Sequence, residues 1–179
     1  MPDNREIRTS RNNIMRFVDD LLAVLLVTLV GSTFVPMAQA QDPIPYGTPI
    51  TLEAAHKAVT AAEAEAKKQS WPVAIAVVDA SGFLVAFHRL DNTQLGSIEV
   101  ALQKAKSAAL FRRPTKVFEE SLEKGGAGLR VLKLPGGMPI EGGLPIILDG
   151  KVIGAIGVSG VQATQDAQVA KAGVDALGQ

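Results

Sequence analysis

The chain has 179 residues, with 18 Lys and Arg balanced by 18 Asp and Glu, no cysteine, and an apolar fraction of 47% in which aromatics supply only 4%. A length of this order predicts one domain, and a formal net charge of zero gives no global attraction to nucleic acid or to an anionic membrane. The lack of cysteine excludes disulfides, thiolate metal sites, a cysteine nucleophile and a lipid anchor on cysteine.

The first feature along the chain is an unbroken apolar run, Leu21 to Val30. It is about half the roughly 20 apolar residues that a membrane span needs. Gly31, Pro36 and the small–x–small sequence Ala38-Gln39-Ala40 follow it. This pattern predicts a signal peptide over residues 1–40, with Gln41 the new N-terminus after cleavage. Met15 offers a second start, which would give the leader an ordinary length, and an uncleaved membrane anchor is the competing reading. The expectation is an exported protein, periplasmic or secreted, with no membrane contact after cleavage and one domain over residues 41–179.

Gln41 to Ile50 holds three prolines and a glycine and reads as an extended arm. Thr51 can cap a helix in which Leu52, Ala55, Val59, Ala62 and Ala66 recur at helical spacing, with Glu63, Glu65, Lys67 and Lys68 mostly on the other side. Trp71-Pro72 ends it, because the residue before proline avoids the helical region. Val73 to Asp79 is a continuous apolar strand, Asp79 to Gly82 a turn, and Phe83 to Arg89 the returning strand. A second helix is predicted over 94–111, with an apolar stripe of Ile98, Ala101, Leu102, Ala105, Ala108 and Ala109. Thr115 to Lys124 reads as a short helix capped by Thr115. Leu134 to Gly143 reads as a glycine-rich loop around a short strand at Met138 to Ile140. Leu144–Leu148 and Lys151–Ser159 form a hairpin about Asp149-Gly150, and a last helix from Thr164 to Leu177 has Thr164 as its cap. Hairpins cannot pair parallel strands, so the sheet is mainly antiparallel with helices packed on it.

Motifs alone give no reaction. The glycines of Val152 to Gly160 are three apart inside a strand, which fits close packing better than a dinucleotide fingerprint. Ser159 lacks the spacing of a nucleophile elbow, and there is neither a phosphate-binding loop nor a zinc-protease helix motif. His56 and His88, the two histidines, fall on different elements.

Five stretches together resemble the GlcG/HbpS family of haem-binding proteins, itself similar to the C-terminal domain of some corrinoid adenosyltransferases. They are Pro49–Ala55, Val73–Asp91, Leu95–Thr115, Leu134–Ile153 and Gly154–Gly173, the last with Asp166, Ala170 and Gly173 in the family's places. The resemblance implies a profilin-like three-layer α/β/α fold with a five-stranded antiparallel sheet, a homo-oligomer, and haem as cofactor. It also implies haem sequestration or haem and iron handling, and the leader fits the exported branch. In haem-linked members the helix motif Lys-Ala-x-Thr brings a threonine close to iron. Here the motif is Lys104-Ala105-Lys106-Ser107, which keeps the hydroxyl on Ser107 and loses the methyl. Of the acidic residues tied to iron on the preceding turn, Glu99 remains, with Gln103 four residues on.

Neutral imidazole is a far better haem ligand than a hydroxyl, so His56 and His88 are candidates beside Ser107. For each histidine the alternative is an ordinary half-exposed side chain. Lys104, Lys106, Arg112 and Arg113 are candidate partners for the haem propionates. Two other functions compete with haem binding. One is an enzyme, either haem-degrading or acting on a small organic acid through the amides of Gly136–Gly143. The other is an accessory oligomer with no small ligand.

Overall fold

The computed structural model describes residues 42–178. The predicted signal peptide lies outside the described residues. The elements, in chain order, are α1 (Leu52–Lys68), β1 (Ala74–Asp79), β2 (Leu84–Arg89), α2 (Gly96–Phe111), α3 (Lys116–Glu123), a 3₁₀ segment (Gly126–Lys133), β3 (Gly143–Leu148), β4 (Lys151–Ser159) and α4 (Ala163–Asp175).

The domain is mixed α/β. Its strands form one antiparallel four-stranded sheet in the order β2-β1-β4-β3. β1 and β4 are central, and their apolar runs are buried on both faces. Val77 and Val78 next to one another in β1 have no exposure at all. Alternate residues face different helices. Ile75, Val77, Ile156 and Val158 pack with Ala55, Val59 and Ala62 of α1 and Val169 and Ala170 of α4. Ala74, Ala76, Val78 and Ala155 pack with Ala101, Ala105 and Ala108 of α2.

Several local signals act as expected. Thr51 Oγ1 accepts from the Ala54 amide at 3.2 Å and caps α1. Thr51→Ala should lower stability by about 1 kcal/mol, read from the urea midpoint at unchanged m-value. Asp149 and Gly150 both have positive φ, 51° and 71°, as the mirror-image hairpin turn requires. The arm is extended too, and it has a structural task. β1 stops opposite Gly154, and beyond that point the arm takes its place beside β4. The Val152 amide donates to Pro45 O at 2.9 Å, Gly47 N to Val152 O at 2.9 Å and Ile50 N to Ile153 O at 2.8 Å.

Other expectations fail for identifiable reasons. Among the described residues the sheet has four strands, not five, and Met138–Ile140 is loop. Thr115 does not cap α3, because its hydroxyl accepts from the Gly143 amide at 2.9 Å and ties the glycine loop to the helix. α4 is capped by Gln162 rather than Thr164, through a reciprocal bond in which Gln162 N donates to Gln165 Oε1 at 3.1 Å. Among the described residues no helix is long and apolar enough to cross a membrane.

Candidate functional site

α2 carries the family-like motif, and its inner face holds polar groups that periodicity would place outside. Lys104 is 1% exposed. Its ammonium donates to Asp166 Oδ2 at 2.8 Å and to Val158 O at 2.9 Å. Burial pushes the Asp166 carboxyl above its ordinary range, while Lys104 and the amides of Val161 and Gly160 act in the opposite direction. Lys104 was expected at a pocket rim facing a propionate. It lies instead inside the domain, joining α2 to β4 and α4.

Ser107, one turn on, is fully buried, and its Oγ accepts from the Met138 amide at 3.0 Å. Two further amides of the glycine loop are also engaged, Glu141 N with Glu119 Oε2 at 2.6 Å and Gly143 N with Thr115 Oγ1 at 2.9 Å. These loop amides hold the loop to α2 and α3 and are not free to bind an organic acid. Lys104 and Ser107 thus share one inner stripe of α2, closed over by the loop.

The remaining candidates are dispersed. Glu99 is exposed on the outer side of α2 and accepts from Gln103 at 2.6 Å. Arg113 is exposed beyond the end of α2, bonded through Nε to Phe111 O at 3.0 Å and 6.0 Å from the Phe118 ring centroid. Arg112 donates to Ile44 O at 3.1 Å and stacks on Tyr46, so it serves the arm. His56 is exposed on α1. Among the described residues no group of three or more His, Asp or Glu could hold a bare metal ion.

His88 is different. It is the penultimate residue of β2, opposite Ile75 on the sheet face that α1 covers, and its side chain is 37% exposed. Its Nδ1 lies 2.5 Å from Glu63 Oε2, and the other oxygen of that carboxylate pairs with Lys67. Lys67 and His88 hold the Glu63 carboxyl below the usual carboxylate range. The stability this carboxylate contributes is therefore present at neutral pH and is lost as acid protonates it, below its ordinary pKa. An ionised carboxylate only accepts, so the contact makes Nδ1 the donor.

A surface groove runs past His88 between Lys67, Arg89 and Leu90. A second groove shares Lys67, Leu90 and Asp91 and continues along Trp71 and Pro72. The first groove offers an imidazole, two cations (Lys67 and Arg89), two carboxylates (Glu63 and Asp91) and the apolar Phe87 and Leu90, and the second adds Trp71 and Pro72. An imidazole nitrogen suits iron and Trp71, Pro72 and Leu90 suit a macrocycle edge, while Lys67 is already paired with Glu63 and Arg89 is the cation left for a propionate. Sequence reading named His88 but missed Glu63, whose polar position on α1 looked like ordinary solvent exposure.

Comparison with known proteins agrees with the motif. The chain is 39% identical over 110 residues to protein GlcG of Escherichia coli K12, covering 62% of this chain and 81% of the relative. It superposes on the crystal structure of HbpS with a TM-score of 0.68 at 34% identity, covering 74% of this chain and 93% of HbpS. It superposes on the PduOC:heme complex with a TM-score of 0.66 at 27% identity, covering 72% and 95%. The model of one family, described as haem degrading protein HbpS-like, matches residues 50–175. The chain belongs to the HbpS-like family.

Proposed function

We propose that this protein binds haem through His88, in the groove that His88 shares with Lys67, Arg89, Leu90 and Trp71. The observation that carries this reading is the half-exposed imidazole held by Glu63 in a groove lined also by Phe87, Arg89 and Leu90. A solved haem complex of a relative supports haem binding in general. Bound haem would supply iron for redox or ligand chemistry. The chain itself would orient one imidazole and offer Arg89 to a propionate. The physiological role we assign is sequestration or delivery of haem, in the periplasm or outside the cell, by a homo-oligomer with profilin-like layering. Ser107 and Lys104 serve in this account as supports of α2 rather than as contacts to haem.

Hemin titration followed by absorbance tests the assignment. A saturable Soret shift is expected for the wild type and for His56→Ala, with affinity reduced at least tenfold in His88→Ala. A flat wild-type titration would overturn haem binding, and an unchanged His88→Ala titration would overturn the ligand.

Haem turnover is the second reading, favoured by the description of the matched family as haem degrading. It predicts loss of haem absorbance over time with a reductant and air, whereas sequestration predicts a stable spectrum.

A further inference from the structure

We infer that α3 and the 3₁₀ segment form a self-complementary contact between two copies of this chain about a two-fold axis, with Arg130 and Lys133 of each copy set against the partner subunit's Glu120 and Glu123. The inference rests on the reading of the protein as a homo-oligomer and adds where its copies meet. It is independent of haem, because none of these residues lines the grooves beside His88 and Trp71.

Charge is sorted by element in this part of the chain. After Lys116, whose ammonium pairs with Glu141 at 3.0 Å, α3 carries Glu119, Glu120 and Glu123. From Lys124 to Ile140 the charged residues are Lys124, Arg130 and Lys133, all of them cations. Gly125 and Gly126, both at positive φ, turn the chain between the two halves. Side chains three apart eclipse one another in a 3₁₀ helix, so the segment presents its residues in rows. Gly128, Val131 and Leu134 form a half-buried row, and a β-carbon on Gly128 would overlap Ser121 O, so this row faces α3. Leu129 and Leu132 form a row that is 51% and 62% exposed, and Arg130 and Lys133 form another exposed row. On α3, Val117 is 41% exposed, the exposed Glu120 lies one turn along from it, and the exposed Glu123 follows a turn later. Among the described residues no side-chain hydrogen bond or ion pair engages Glu120, Glu123, Arg130 or Lys133. Each copy thus sets an acidic half with one exposed valine beside a basic half with two exposed leucines. A two-fold axis brings each half against the opposite half twice, as an isologous contact requires. The leucine row would then be covered at the centre, with opposite charges around it. An anionic bilayer suits this surface less well, because the carboxylates of α3 stand next to the cations.

Sedimentation equilibrium of the purified chain over a range of concentrations tests the contact. The wild type should self-associate. Arg130→Glu with Lys133→Glu should weaken association at least ~tenfold, since like charges would then face one another. Glu120→Lys with Glu123→Lys should do the same. An equimolar mixture of the two charge-reversed chains should associate as the wild type does, because both halves of the contact become attractive again. Leu132→Ser, which leaves every charge in place, should also weaken association and serves if charge reversal disturbs the fold. Variants that associate like the wild type, or a mixture of folded variants that stays apart, would overturn the contact while leaving the homo-oligomer standing. A wild type that remains monomeric at every concentration would overturn the homo-oligomer and the contact together. Flotation of the wild type with phosphatidylglycerol vesicles, lost in Arg130→Glu with Lys133→Glu while self-association persists, would assign the surface to lipid and overturn the contact as well.

Discussion

Lys104→Met should destabilise the domain by about 3–5 kcal/mol, the cost typical of removing one partner from a buried ion pair. Asp166 is 2% exposed, and Lys104 is the cation that faces it, at 2.8 Å. Without the ammonium, the carboxylate keeps only backbone donors, including the Val161 amide at 3.2 Å. Methionine has nearly the shape of the lysine stem, so the loss reports the charge rather than a cavity. The pH dependence follows from the direction of the Asp166 shift. Its folded carboxyl already titrates above the ordinary value because of burial, and losing Lys104 moves it further up. A group whose folded pKa is raised favours the fold below its unfolded pKa, and that contribution is lost as pH rises through the folded value. The gap between variant and wild type should therefore be widest at neutral pH and narrow in mild acid. Urea melts of both proteins at several pH values would measure it. The double variant Lys104→Met with Asp166→Leu should recover most of the loss, since a buried pair replaced as a unit is often near neutral. If the double variant is as unstable as the single one, the pair is not the source of the effect.

Gly157→Ala should cost about 3 kcal/mol or more. A β-carbon on Gly157 would lie 2.2 Å from Ala101 O and 2.4 Å from Ala105 N. Both are backbone atoms of α2, so no side chain can turn aside. The helix would have to move off the sheet, carrying the buried Lys104 and Ser107 with it. Gly150→Ala is a useful contrast, because its φ of +71° is strained but a β-carbon there meets nothing within 4 Å. Thermal melts should separate the two, with the larger loss at Gly157. Comparable melts would mean that α2 is not held at the close approach described here.

The parts of this fold legible in the sequence are those with local causes. Asp149-Gly150 specifies its own turn and Thr51 its own cap, whereas α1 stops at Lys68, ahead of Trp71-Pro72, with Ser70 at a φ of 57°. The glycine spacing of Val152–Gly160 was also readable as close packing, and Gly157 meets that reading against α2. The parts that were not legible depend on distant partners. Lys104 looks solvent-facing by its charge, and only a residue 62 positions on neutralises it. Met138–Ile140 resembles a strand in composition. However, Ser107, more than two dozen residues earlier, takes the Met138 amide. His88 was visible as a candidate because histidines are few. Its advantage over His56 comes from Glu63, 25 residues away on another element. Pairings of that kind leave no periodic trace.

Resonance Raman spectroscopy of the ferrous, haem-loaded chain tests the central assignment most directly, because an iron–imidazole stretch appears only when histidine is bound. The account predicts one such band in the wild type and in His56→Ala, and its loss in His88→Ala. A band that persists in His88→Ala, or that never appears in a haem-loaded wild type, would contradict His88 as the haem ligand.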